Sequence, residues 1–545
     1  MVTSRNTAKP AAGAGAGAAA GTVLLTLSAA QFLMTLDSSV MNVSIAQVAN
    51  DLGTTVTGIQ TAITLYTLVM ATLMITGGKI GSILGRRRVF AIGCIIYAAG
   101  SLTTALAPNL TVLMLGWSLL EGIGAALIMP AIVALVAGNF PPEGRARAYG
   151  LIASAGAIAV AVGPLIGGLV TTYFSWRWVF AAEVLIVLVI LVLARKIADA
   201  PSDHRPKLDF VGTLLSVAGL GAFVYGVLQT SQWGWLQPKP GGPAILGMSP
   251  SLWLMMMGLF IMWLFLRWEG YLLRRQREPL VDPALLRNEQ LNGGLVMFFF
   301  QFLLQAGVFF TVPLFLSVVL ELSALQTGVR LVPLSLALLV AAAGIPRVWP
   351  NVSPRRVVRI GVLLLIAGIL ALMSGIDINA DAAVVAIPML LMGLGIGALA
   401  SQLGAVAVSA VPQEQSGEVG GLQNTATNLG ASLGTALAGS VLIAALTTTF
   451  LAGITNNPAV PASVAEQATV ELSSGVPFIS DSSLEASLAA SGASPEVSAA
   501  AMEANVSARI TGLDTALGVL GMIGLVALFF TGRIPNRQPG AEGGA

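Results

Sequence analysis

The chain has 545 residues, 56% of them hydrophobic and only 10% charged, with a formal net charge of +2. Soluble domains run at about 45–50% apolar and about 25% charged, so the composition excludes the string of soluble domains that length alone would suggest. The small net charge gives no footing for a nucleic-acid partner, and a single cysteine, Cys94, excludes an internal disulfide or a cysteine-based metal cluster.

Residues 1–21 read as a disordered tail, with "AAGAGAGAAAG" behind Arg5 and Lys9. Apolar stretches then recur, each long enough to cross a hydrocarbon core about 30 Å thick. Fourteen spans are predicted near residues 22–48, 55–77, 87–107, 110–138, 147–172, 177–195, 208–231, 247–269, 290–320, 323–346, 356–375, 382–410, 416–450 and 511–532. The first is too long for a signal-peptide core and carries Asp37, so it reads as a retained helix. The sole histidine, His204, falls in a polar connector, which leaves no histidine for a proton relay inside the spans. The connector 270–289 could lay a short amphipathic helix on the membrane surface. Residues 451–509, rich in Ala and Ser with six acids against Arg509, read as a partly ordered cap, and 533–545 as a second tail.

Charge tests the count. Assigning alternate connectors to the cytoplasm, beginning with the N-terminal tail, leaves only Arg177, Lys239, Arg330 and Arg509 of the 27 basic residues on the outer side. A miscounted span would scramble that asymmetry, so the positive-inside rule supports an even count with both termini cytoplasmic. Arg86, Arg87 and Arg88 pin the connector behind the second span on the basic side. Trp176, Trp178, Trp233 and Trp235 fall at outer helix ends, as an interfacial belt would require.

The fifth span reads "GLIASAGAIAVAVGPLIGGLV" (150–170). Gly150, Ser154, Ala157 and Ala161 make a smooth face for close helix contact. Pro164 removes a backbone hydrogen bond, with Gly163, Gly167 and Gly168 around it, a composition suited to a pliant gating helix. The thirteenth span has a similar texture in "GEVGGLQNTATNLGASLG" (417–434), which suggests an internal repeat.

With these motifs the chain resembles the major facilitator superfamily, in its fourteen-helix drug:proton antiporter branch. "LDSSVMNVSIAQV" (36–48), the Gly-Pro and Gly-Gly pairs of the fifth span, "SWRWVF" (175–180) and the Gly/Asn-rich thirteenth span carry the likeness, over residues 22–532. The resemblance implies an all-α polytopic membrane fold. It would have one six-helix bundle in residues 22–197, another in 290–450 with 511–532, and two additional helices in 208–270. It also implies that spans 1, 4, 9 and 12 line a central cavity.

Three motifs depart from the family pattern, one of them in the thirteenth span, where Thr427 stands at a position that many members give to Arg. In "GGKIGSILGRRRVF" (77–90), Gly78, Gly85 and the three arginines match the family loop, but Ser82 stands where the family has Asp. The resemblance gives that Asp a gating role at the start of the thirteenth helix, where the helix dipole favours an anion. Ser82 can hydrogen-bond there but brings no charge. In "LMLGWSLLEGIGAALIMPA" (113–131), Ser118 takes the place of the family's Arg and Glu121 that of its Gln.

An ionisable group inside a span costs about 2.5–3.5 kcal/mol on insertion scales, which makes each a functional candidate. Apolar surroundings disfavour a charged carboxyl, a property suited to reversible protonation. Asp37 and Glu121, expected by resemblance to face the cavity, are the preferred proton-coupling acids. Glu183, on a helix expected at the periphery, is the third candidate, with Arg177 or lipid as its expected surroundings. The second bundle offers Gln301, Gln305, Gln423 and Asn424 beside the aromatics of "MFFFQFLLQAGVFF" (297–310) as a cavity wall for a lipophilic substrate.

No Cys/His, Ser/His/Asp or metal-ligand constellation and no phosphate-binding loop is present, so neither an enzyme nor a cofactor is expected. The expected protein is a monomeric, proton-coupled exporter of amphipathic or cationic small molecules in the plasma membrane. A flippase-like exporter of a lipid or envelope precursor, and a non-transporting scaffold on the same fold, stand as alternatives.

Overall fold

The computed structural model describes residues 13–54, 56–199, 207–378, 380–412, 415–472 and 475–538. Arg5, Lys9, His204 and the ends of both predicted tails lie outside the described residues. Among the described residues, fourteen helices are long and apolar enough to span a membrane. They are α1 (Gly13–Asp51), α2 (Val56–Leu84), α3 (Arg86–Ala105), α4 (Leu110–Asn139), α5 (Pro142–Tyr173), α6 (Arg177–Ala194), α7 (Phe210–Leu228), α8 (Pro250–Arg274), α9 (Glu289–Leu314), α10 (Ala324–Val348), α11 (Pro354–Met373), α12 (Ala386–Ser409) and α13 (Ser416–Thr455), and the final span named below.

Helix starts follow capping chemistry. Asn109, Asp209, Ser249, Asn288, Ser323 and Ser353 each accept a backbone N–H of the first turn through the side chain. Proline opens α5, α8 and α11, where its missing N–H has no partner to lose.

Helices α1–α6 form one bundle, and α9–α13 with the last span form the other. Their internal packing repeats. In the first bundle Gly163 and Gly167 of α5 press on Ser39 and Val40 of α1. In the second, Gly430 and Gly434 of α13 press on the backbone at Phe299 and Leu303 of α9. The glycines expected to make α5 pliant thus serve first to bring it against α1. Gly168 faces open space, and α5 runs unbroken from Pro142 to Tyr173.

The bundles meet at the end that carries the arginines. A Cβ at Gly150 of α5 would overlap the Ala342 carbonyl of α10, and one at Gly78 of α2 would overlap the Gly417 carbonyl of α13. Gly420 and Gly421 of α13 also sit close to Pro130 of α4 and Ile75 of α2, where a Cβ would lie 2.9 and 3.0 Å from their backbones. Helices α7 and α8 pack on each other, and α7 also contacts both α2 and α13, so the inserted pair lies along one seam between the bundles.

The opposite end carries a folded cap. The boundaries expected at 451 and 509 fall inside helices: α13 continues to Thr455, and short α14 (Ala462–Glu471) and α15 (Asp481–Ser491) precede α16 (Pro495–Phe530), the last span. Phe450, Ile454, Val460, Val476 and Ala504 give this region its own apolar cluster. Arg509, fully buried, ties it down through Asp481 at 2.6 Å and the Val318 and Ile479 carbonyls at 3.1 and 3.4 Å. Outside the spans, Glu321 accepts the Ser482 N–H at 3.1 Å, and that bond holds its carboxyl below the usual range.

Candidate functional site

The three intramembrane acids converge. Asp37 of α1, Glu121 of α4 and Glu183 of α6 are each 0% exposed, and one carboxylate oxygen from each lies within 4.8 Å of the others. This corrects two expectations. Glu183 neither faces lipid nor pairs with Arg177, because α6 turns it onto Ser101 of α3, whose hydroxyl donates at 3.1 Å. Arg177 instead pairs with Asp51 at 3.6 Å and donates to the Ala107 carbonyl at 2.9 Å. Asp37 and Glu121, rather than facing an open cavity, are enclosed in the first bundle.

Local backbone explains how α4 reaches the cluster. Met114–Glu121 is a π-helical stretch in an otherwise α-helical span, and Gly116, Trp117, Ser118 and Glu121 within it are all buried. Such a stretch adds a residue to the turn and redirects side chains. Trp117 Nε1 donates to both oxygens of Asp37 at 2.9 Å, and its indole stacks on Tyr66 with centroids 4.8 Å apart. Thr104 of α3 donates to Glu121 at 3.2 Å. Close approach of α3 and α4 needs glycine, since a Cβ at Gly100 would lie 2.6 Å from Glu121 Cγ and 2.7 Å from the Gly116 carbonyl.

Hydrogen bonding does not saturate the site. Glu121 Oε2 and Glu183 Oε1 are buried without hydrogen-bond partners among the described residues. Unpaired acceptors on carboxyls in a dry interior are costly, and three full negative charges so close would be more so. The arrangement suits carboxyls that take up and release protons. Ser118, in the family's Arg position, donates instead to the Ala62 carbonyl at 2.8 Å and ties α4 to α2.

At the basic end, the gating candidates divide. Ser82 lies against α13, 3.2 Å from where a Cβ of Gly417 would stand. Arg86 is buried and donates to the Ala134 carbonyl at 3.3 Å, while Arg87 reaches the Ile197 carbonyl at 3.2 Å and Arg88 is exposed. Among the described residues, the charged contact between the bundles is Lys79–Glu418, at 2.8 Å and almost fully buried. Neither Lys79 nor Glu418 was among the site residues expected from the sequence. A lysine near the end of one span and an acid opening another were the available signals. Trp117, four residues before Glu121 on one helical face, was the corresponding signal for the acid cluster.

In the second bundle, Gln301 of α9 is buried, and the side-chain oxygens of Gln301, Gln305 and Gln423 lack partners. Asn424 folds back on the Gly420 carbonyl at 2.9 Å. Gln402 of α12 accepts from Gln538 of the C-terminal segment at 2.9 Å.

Comparison with known proteins fits this architecture. Residues 27–435 match the Major Facilitator Superfamily. The puromycin resistance protein pur8 of Streptomyces alboniger is 31% identical over 80% of this chain and 84% of its own. The tetracenomycin C resistance and export protein of Streptomyces glaucescens is 29% identical, over 77% and 75%. Among solved structures, the human organic anion transporter TETRAN superposes with a TM-score of 0.57 at 14% identity, covering 96% of this chain and 100% of its own. The proton:xylose symporter XylE superposes at 0.55 and 13% identity, covering 96% and 97%. The chain belongs to the Major Facilitator Superfamily, and it is a multi-pass membrane transporter rather than an enzyme.

Proposed function

We propose that this transporter exports amphipathic or cationic small molecules in exchange for protons, with Asp37, Glu121 and Glu183 as the proton site. The observation that carries the coupling is the burial of three carboxyls within 4.8 Å in the first bundle, with Trp117 holding Asp37. Charge among them is limited by mutual repulsion, so a proton taken up in one conformer can be released in another. The relatives named for antibiotic resistance and export support the substrate class.

Substrate and proton occupy different places in this reading. Gln301, Gln305 and Gln423, beside the Phe-rich face of α9, supply amides and apolar surface for the substrate. In this reading the acids, enclosed in the first bundle, do not touch the substrate, and the proton acts by setting the packing of α1 and α4. The inserted pair along the α2–α13 seam supports passage through the mouth of the cavity rather than sideways from the bilayer beside α13. The clustering of arginines supports a cytoplasmic position for that end and for both termini in a plasma-membrane protein, and the reading takes the carrier to work as a monomer.

Everted membrane vesicles energised by a proton gradient, with a lipophilic cationic dye as substrate, test the proposal. Dye uptake should collapse with a protonophore, and Asp37→Asn should abolish gradient-driven uptake while the protein remains in the membrane at the wild-type amount. Glu121→Gln, which keeps the bond to Thr104 possible, should be milder. Full gradient-driven transport in the Asp37→Asn/Glu121→Gln double variant would remove the acids from the mechanism.

A further inference from the structure

Helices α7 and α8 have no counterpart in either six-helix bundle, and the surroundings of Lys79 show what they add. Lys79, 5% exposed near the end of α2, bonds Glu418 in the first turn of α13 at 2.8 Å. The two belong to different bundles. A Cβ on the neighbouring Gly78 or Gly417 would press on the other bundle's backbone, so the helices can approach closely enough to enclose the pair. Opening this end must withdraw Glu418 from Lys79, and an unpaired ammonium in a buried setting is strongly disfavoured. The lysine needs another acid when the bundles part.

Three further acids lie around the seam where the inserted pair meets this end: Asp209, Asp282 and Glu269. Asp209 is committed: it caps α7 through the Val211 and Gly212 N–H groups and accepts from Trp268 Nε1 at 2.8 Å. Asp282, on the connector, acts on Glu418 and accepts the Ala284 N–H at 2.8 Å. Glu269 of α8 differs. It is 0% exposed, its Oε2 accepts the Leu280 N–H at 2.7 Å, the Val281 N–H also bonds the carboxyl, and its Oε1 is turned toward α7 at Gly212. Lys79 lies within electrostatic reach of it, without a direct contact in this conformer. Gly212 of α7 leaves the room it needs, because a side chain there would overlap Glu269 Oε1. Helix α7 also touches α2 at Gly221, where a Cβ would sit 3.4 Å from Thr72, so the inserted pair is seated on the helix that carries Lys79.

We propose that Lys79 is a latch with two partners: it binds Glu418 while the basic end is closed and passes to Glu269 of the inserted pair when that end opens. The inserted helices then stabilise the open conformer, and the polarity is the reverse of a latch whose acid lies on α2. The inference rests on the transport reading only in requiring two conformers. It does not depend on protons or on the substrate.

The test is a distance measurement on the full-length protein in liposomes, without substrate or gradient. Spin labels replace Leu84 and Val348, 48% and 62% exposed at the basic ends of α2 and α10, in a Cys94→Ala background. Glu418→Gln should enlarge the long-distance, open population about tenfold, and Glu269→Gln should diminish it by a similar factor, since each removes a charge-assisted bond to a buried group. The exchanged pair Lys79→Glu/Glu418→Lys should return the closed distance. If Glu269→Gln does not accumulate in the membrane, Glu269→Asp, which shortens the reach, should shift the population the same way by less. An unchanged distribution in the Glu269 variants, or a shift in the same direction as Glu418→Gln, overturns the proposal.

Discussion

Glu183 offers the sharpest test of the acid cluster, because a peripheral helix gives it no other evident task. At 4.8 Å, two ionised carboxyls repel by about 3.5 kcal/mol with an effective dielectric constant of ~20. That energy corresponds to about 2.5 pH units at about 1.36 kcal/mol per unit. Glu183→Gln keeps the shape and can still accept from Ser101, but removes one source of repulsion. The two remaining acids should then release a proton more readily. The pH at half-maximal gradient-driven efflux should therefore move about 1–2.5 units lower, the smaller figure allowing for the protein's own relaxation. Dye efflux from proteoliposomes, measured across pH at a fixed gradient, reads this directly, with thermal unfolding as the control for integrity. A profile unmoved at full turnover would make Glu183 a structural acid held by Ser101 and would refute the shared-charge argument.

Three other outcomes follow from the packing. Asp481→Ala leaves the fully buried Arg509 without its counter-ion; since Asp481 is partly exposed, the loss should be about 2–3 kcal/mol. Limited proteolysis should then nick the cap between residues 455 and 495 faster than in the parent, and equal rates would count against this anchor. Gly150→Val should lower turnover at least about tenfold, because a branched side chain between α5 and Ala342 prevents close approach at a packed contact; normal turnover would mean that this contact does not form in the cycle. For topology, Ser487→Cys should react with an impermeant thiol reagent added outside cells, and Arg277→Cys only after permeabilisation; the reverse pattern would invert the orientation.

The sequence by itself determined the number of spans, their order and which end carries the basic residues. These are properties of the chain taken one segment at a time. A backbone in hydrocarbon must satisfy its own hydrogen bonds, so each apolar run of sufficient length becomes a helix whatever its neighbours do. Asp37, Glu121 and Glu183 were visible for the same reason, as charges where charges are costly. What the sequence could not show is which way each helix turns. Lipid and protein interior are equally apolar, so the hydropathy of α6 does not distinguish its outward face from the face bearing Glu183. Only packing brought Glu183 to Ser101 and placed it with two acids from α1 and α4, aided by the π-helical stretch that turns Trp117 and Glu121 inward. The same holds for Lys79 and Glu418, separated by 339 residues: each is unremarkable at a helix end, and their bond exists because glycines on both helices let two bundles close on one another.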